Sequence, residues 1–320
     1  MYKKFFGLNR NPFEISPDPY FLFPTERHKD ALASIYYGIR RRKGFAVMTG
    51  EVGTGKTLLV RCLLELLNRQ QVSFANVFNP LLSSAEFLRY VVGDLGLKSP
   101  DNSKSSLLST LNEFLIARYR KGLCTVLIVD EAQYLLPEVL EEIRLLTNLE
   151  TSQQKLLQIL LVGQPELEDR LDSNDLRQLK QRIGLRCRLE ALDEQETREY
   201  IAQRLRRAGM VAGAESVFPA DAIRSVYHYS HGIPRLINTL CENALVAAFA
   251  QQTKTVSPEM VREVSAEFRL DVEPAKAPAK TNGNGNGNGQ DQQAAARTLL
   301  ELLESLQRYR ARNANPVPFL

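Results

Sequence analysis

The chain has little that would mark it for export, for a membrane or for a cysteine-built metal site. Its 320 residues include four cysteines, Cys62, Cys124, Cys187 and Cys241. They lie far apart and none has a C-x-x-C partner, so neither a cysteine metal cage nor a disulfide scaffold is expected. They read as small buried apolar residues in a reducing cytoplasm, with one disulfide pair as the minor alternative. No apolar run approaches the ~20 residues that span a bilayer. The N-terminal stretch MYKKFFGLNRNPFEISPDPY is basic and then aromatic, and lacks the apolar core of a secretory signal. The expected location is the cytoplasm, with the inner membrane reached only through a partner. Net charge is +4, which excludes a generally basic surface and leaves only local contact with nucleic acid.

What is present is ordinary for a globular protein: 44% hydrophobic and 24% charged residues. The length suits two domains and a tail. Residues 1–44 read as an N-terminal linker segment. From 45 the chain alternates apolar runs with helical stretches. Strands are expected at FAVMTG (45–50), VSFANVF (72–78), CTVLIVDEAQ (124–133), LLQILLVGQPEL (156–167) and RCRLEAL (186–192). Helices are expected near 58–71, 84–96, 105–121 and 137–150. Strands apolar on both faces and separated by helices predict an α/β fold with a parallel sheet over 45–192. Segments 193–209, 219–230, 234–251 and 257–268 look helical, and so predict a small all-helical domain over 193–270. Residues 271–289 are Pro/Ala-rich and then Gly-Asn repeats, a flexible linker by composition. Within 290–320, residues 290–312 carry Ala295, Leu299, Leu302, Leu306 and Tyr309 at helical spacing. Such a stripe either packs back on the body or docks on a partner.

The most specific chemistry lies in GEVGTGKT, residues 50–57. It follows an expected strand and precedes an expected helix, the context that a G-x-x-x-x-G-K-[ST] loop requires. Gly50, Glu51, Val52, Gly53, Thr54, Gly55, Lys56, Thr57 and Leu58 are therefore assigned to nucleotide binding. The loop's N–H groups turn inward on phosphate and the helix N-terminus adds positive potential. Lys56 neutralises β/γ-phosphate charge and Thr57 offers a hydroxyl to Mg²⁺. In VLIVDE, Asp130 ends a buried strand and suits Mg²⁺, and Glu131 suits activation of water. Gln164 ends the fourth strand, where a polar side chain can orient water. RQLKQRIGLRCR (177–188) carries Arg177, Lys180, Arg182, Arg186 and Arg188 without an acid. Arg182 is favoured there as an arginine presented to a neighbouring subunit, with Arg177 and Arg186 as alternatives. In GIPRLIN (232–238), Arg235 falls in the first turn of a helix and can report nucleotide state. The expected cofactors are ATP and Mg²⁺, and the expected reaction is ATP hydrolysis to ADP and phosphate.

Together these pieces resemble the AAA+ ATPases. The resemblance implies a P-loop NTPase with a five-stranded parallel sheet in the order 5-1-4-3-2, a helical lid, and a homo-oligomeric ring or filament with ATP at subunit interfaces. The N-terminal YKKFFGLNRNPFEISPDPYFLFPTERHKDALASIYYGI (2–39), with GEVGTGKT, DEAQ, LVGQPEL, QRI and GIPRLIN, further resembles the general secretion pathway ATPases of the ExeA/GspA type. That group includes forms encoded with pilus or exopolysaccharide export loci. This resemblance spans about residues 2–268. It implies that Pro19–Phe23 and His28 border the nucleotide base, with Tyr20 and Leu22 as contacts. Members acting at the cell wall carry a membrane helix and a peptidoglycan-binding domain after the ATPase. Here only the Gly-Asn linker and the striped segment follow, so recruitment by secretion or pilus assembly proteins is expected instead. The competing reading is a DNA-bound regulator like the ATPases of Tn7-like transposons, with IRRRKG (39–44), 177–188 and RLRR (204–207) as phosphate contacts. The near-neutral charge favours the first.

Overall fold

The computed structural model describes residues 2–68, 70–210 and 214–270; the linker and the striped segment 290–312 lie outside the described residues. In chain order the elements are α1 (Tyr2–Phe6), α2 (Glu26–Arg40), β1 (Phe45–Gly50), α3 (Lys56–Asn68), β2 (Ser73–Val77), α4 (Ser84–Asp94), α5 (Lys104–Arg120), β3 (Thr125–Val129), α6 (Pro137–Leu146), β4 (Leu157–Gly163), α7 (Glu166–Leu171), α8 (Arg177–Lys180), β5 (Leu185–Leu189), α9 (Glu194–Arg207), α10 (Ala214–Val217), α11 (Ala220–Ser230), α12 (Pro234–Ala250) and α13 (Pro258–Glu267).

Two compact units emerge. One is built on the sheet and comprises the described residues of Glu26–Glu51 and Lys56–Leu189. All strand pairs are parallel, and the order is β2-β3-β4-β1-β5. This is the expected order read from the other edge. β1, β3 and β4 are buried along their whole length, so apolar residues occupy both faces and period-2 alternation disappears. β5 forms an edge and alternates in burial. The register pairs Thr49 with Gly163 and Val129 with Leu161. The carboxyl ends of β1, β3 and β4 therefore fall side by side, which in open parallel sheets is where ligands bind. Helix starts follow the sequence: Ser83 and Glu86 form a capping box at α4, and Pro137 opens α6.

The second unit is helical. It comprises the described residues of Met1–Thr25, Val52–Gly55 and Glu190–Asn288. Asp193 and Glu196 form a capping box at α9, and no strand occurs there among the described residues. Its core joins α9, α11, α12 and α13 to the first residues of the chain: Phe13 and Phe218 are buried and meet edge to face at 6.0 Å between centroids. Arg204 is buried beneath the N-terminal segment. It donates to the Pro12 carbonyl oxygen at 2.7 Å and lies over the Phe21 and Tyr200 rings. Tyr2 donates to the Glu242 carboxylate, and burial raises the pKa of both groups. None of the four cysteines forms a disulfide; Cys62, Cys124 and Cys241 are buried and Cys187 is half-buried. Burial raises the Cys187 thiol to about 11, which disfavours the thiolate.

Candidate nucleotide site

The loop between β1 and α3 is shaped by its glycines. Gly53 sits at φ +83° and Gly55 at +99°, left-handed values that side chains resist. Gly53 is further constrained within the helical unit, to which Val52–Gly55 belongs. A Cβ added there would lie 2.7 Å from Arg235 Cβ. The Arg235 N–H donates to the Gly53 carbonyl oxygen at 3.2 Å. That N–H is in the first turn of α12, behind Pro234, where no intrahelical acceptor exists. The Arg235 side chain itself is exposed.

Lys56 is buried at the start of α3 and donates to the carbonyl oxygens of Gly50 at 2.6 Å and Glu51 at 3.0 Å. Burial lowers its pKa, opposed by the nearby charges of Glu131 and Asp130. Thr57 Oγ1 donates to Asp130 Oδ2 at 3.2 Å. Asp130 is buried, and burial raises its carboxyl pKa despite a hydrogen bond from the Glu131 N–H at 2.9 Å. A cationic amine, a hydroxyl and two carboxylates are thus gathered at one end of the sheet. Thr57 and Asp130 are hard oxygen donors, the type Mg²⁺ takes alongside waters and phosphate. Among the described residues no three His, Cys, Asp or Glu side chains form a cage. Mg²⁺ bound largely through phosphate and water requires none. Of the remaining loop residues, Gly50 and Thr54 are buried, Gly55 and Leu58 are half-buried, and Glu51 and Val52 are exposed.

Glu131 is half-buried with φ +52°, a conformation that costs a side-chain-bearing residue on the order of 1–2 kcal/mol. Gln133, which sequence reasoning passed over, connects it to β4. The Gln133 Nε2 donates to Glu131 Oε2 at 2.7 Å, and its Oε1 accepts from the Gln164 N–H at 3.0 Å. The Gln164 side chain is half-buried at the end of β4. The only available signal for Gln133 was its place in DEAQ, two residues beyond an acid at a strand end.

Arg182 lies in the sheet unit and docks on the end of α6, donating to Thr147 Oγ1 and Asn148 Oδ1. Arg177 is exposed, and Arg186 pairs with Asp172 at 3.8 Å. Tyr20 and Leu22 lie in the helical unit. Tyr20 donates to the Arg207 carbonyl oxygen at 3.0 Å with the Arg10 guanidinium over its ring, and Leu22 is buried. His28 is buried in α2.

The sheet order and the loop between β1 and α3 define an AAA+ P-loop fold, and residues 39–171 match the family model described as AAA domain. Among solved structures the chain is similar to the ORC2 protein of Aeropyrum pernix in ADPNP–ADP complexes. The TM-score is 0.60 at 19% identity, covering 81% of this chain and 72% of that one. It is similar to CDC6P of Pyrobaculum aerophilum at TM-score 0.59 and 20% identity, covering 83% and 70%. At these identities the likeness concerns the fold alone. The resemblance to general secretion pathway ATPases is borne out in sequence. The chain is 45% identical over 252 residues to General secretion pathway protein A of Aeromonas hydrophila, covering 78% of this chain and 45% of that protein. It therefore spans about half the length of that curated relative. No helix among the described residues is long and apolar enough to cross a membrane.

Proposed function

We propose that this protein binds and hydrolyses ATP and, through nucleotide-dependent self-association, drives or regulates assembly of a secretion, pilus or exopolysaccharide export system. The observation that carries the enzymatic part is the convergence of Lys56, Thr57, Asp130 and Glu131 at the carboxyl end of one parallel sheet. Gly50–Leu58 wraps the phosphates, and Lys56 leaves its carbonyl partners to meet them. Thr57 and Asp130 hold Mg²⁺, which when bound neutralises charge on the triphosphate. Glu131 accepts the proton of the attacking water, and Gln164 orients that water. By the family resemblance Arg235 reports the nucleotide, Tyr20 and Leu22 border its base, and Arg182 serves a neighbouring subunit. The cellular part rests on the likeness to General secretion pathway protein A. By that likeness the protein works from the cytoplasm, with partners that recruit it to the inner membrane.

The test is ATP turnover by the purified chain, with and without duplex DNA at two salt concentrations, with particle size followed in parallel. Turnover indifferent to DNA, with ATP-dependent growth in particle size, is expected. Strong, salt-sensitive stimulation with filaments on DNA would replace the secretion reading with the transposition-type one.

A further inference from the structure

We infer that Gln133 is a positioning residue for water activation: its amide fixes the Glu131 carboxylate relative to the end of β4. The inference rests on the ATPase reading above.

The amide has only one orientation here. A backbone N–H can only donate and a carboxylate can only accept. The Gln164 N–H therefore takes Oε1, and Nε2 is left facing Glu131 Oε2. Gln133 is itself buried and cannot swing into solvent. Its backbone is also held: Arg170 donates to the Gln133 carbonyl oxygen and, at 2.7 Å, to that of Leu135. Space for the side chain comes from Gly163, where an added Cβ would lie 2.9 Å from Gln133 Oε1. One side chain thus ties together the carboxylate and the backbone of Gln164, the two groups assigned to the attacking water.

The tie has a chemical consequence. Nε2 takes one acceptor site of Glu131 Oε2 and so turns the carboxylate to a set orientation toward the water it would activate. Glu131 stands on a left-handed backbone with its N–H on Asp130, so without Gln133 its side chain loses this lateral restraint. Loss of about 1 Å in placement of a reacting group costs up to about 10²-fold in rate.

Two variants separate positioning from bulk stability. Gln133→Glu keeps an acceptor for the Gln164 N–H but sets a second carboxyl, in place of the amide donor, against Glu131. Gln133→Ala removes both acceptor and donor. ATP turnover, affinity for a fluorescent ATP analogue and melting temperature would be measured for both, beside wild type and Lys56→Ala. Single-turnover hydrolysis would be followed for Glu131→Gln with and without Gln133→Glu. We expect Gln133→Glu to lower kcat about 10–100-fold with analogue affinity within twofold of wild type. In the Glu131→Gln background it should cause little further loss, because the two residues act as one unit. Wild-type kcat in Gln133→Glu, or an equal fold-loss in the Glu131→Gln background, would overturn the inference and leave the ATPase reading intact. Wild-type turnover no higher than that of Lys56→Ala would overturn both. If Gln133→Ala unfolds, Gln133→Glu alone decides.

Discussion

Thr57 and Asp130 stand 73 residues apart in sequence, yet the hydroxyl of one donates to the carboxylate of the other at 3.2 Å. The carboxylate is costly, because burial raises its pKa from the ordinary value. A raised carboxyl pKa in the folded state means that stability is full below the unfolded-state pKa. It is lost as pH rises through the window up to the folded value. Asp130→Asn carries no such charge. The variant should match wild type in acid and melt at higher temperature near neutral pH, in metal-free buffer. It should also lose Mg²⁺-dependent turnover. Melting curves across pH, set beside turnover assays, check both halves. Equal melting temperatures at neutral pH would mean that the burial cost is offset within the site.

Lys56 and Glu131 should separate binding from chemistry. Lys56→Ala removes the charge that meets phosphate and should weaken ATP about 10–100-fold or more, the scale of one or two charge-assisted hydrogen bonds. Glu131→Gln should bind ATP with near-normal affinity and turn it over about 10²–10⁴-fold more slowly. Titration calorimetry and phosphate release distinguish them. ATP affinity retained in Lys56→Ala would remove the loop from nucleotide binding.

Arg182 donates through Nη1 to Thr147 and Asn148 at the end of α6. A guanidinium has five N–H donors on three nitrogens, so this docking is compatible with its serving a neighbouring subunit's phosphate. Arg182→Ala should leave nucleotide affinity unchanged and lower turnover by up to about 10³-fold. Mixing it with Glu131→Gln protein should restore part of the activity, since a mixed interface can combine the two intact residues. Absence of rescue would mean that Arg182 acts in cis or that the role belongs elsewhere, at exposed Arg177 or at Arg186.

Arg204 is a prediction about stability alone. It is buried, donates to Pro12 and packs on two aromatic rings within the helical unit. Arg204→Ala should cost about 2–4 kcal/mol, read from urea denaturation. Arg204→Met, which keeps the apolar packing, should cost about half as much. Equal costs would assign the whole effect to the lost hydrogen bond.

Much of the sheet unit is legible locally. FAVMTG forms β1 over Phe45–Gly50 as expected, and the strand expected at 72–78 forms over Ser73–Val77. It stops before Phe78, which is exposed. α2 is also written in the sequence, since Leu32, Ile35, Tyr36 and Ile39 fall at helical spacing and are all buried. The polar opening TERHKD and the prolines before it draw attention away from that stripe. The strand order is a different matter. Five apolar runs are compatible with several orders, and the order came from resemblance to a family rather than from the residues.

The sequence by itself determined the kinds of groups available: a glycine-bent loop with Lys56 and Thr57, and two acids at the end of an apolar strand. Those follow from patterns a few residues long, because local backbone geometry sets the helix and strand periods. Only tertiary structure decided which groups meet. That Gln133 joins Glu131 to Gln164, and that residues 2–25 pack with the helical unit, depends on contacts between segments distant in the chain. Such pairings repay loop-closure entropy only through the assembled core, and no local pattern encodes that balance.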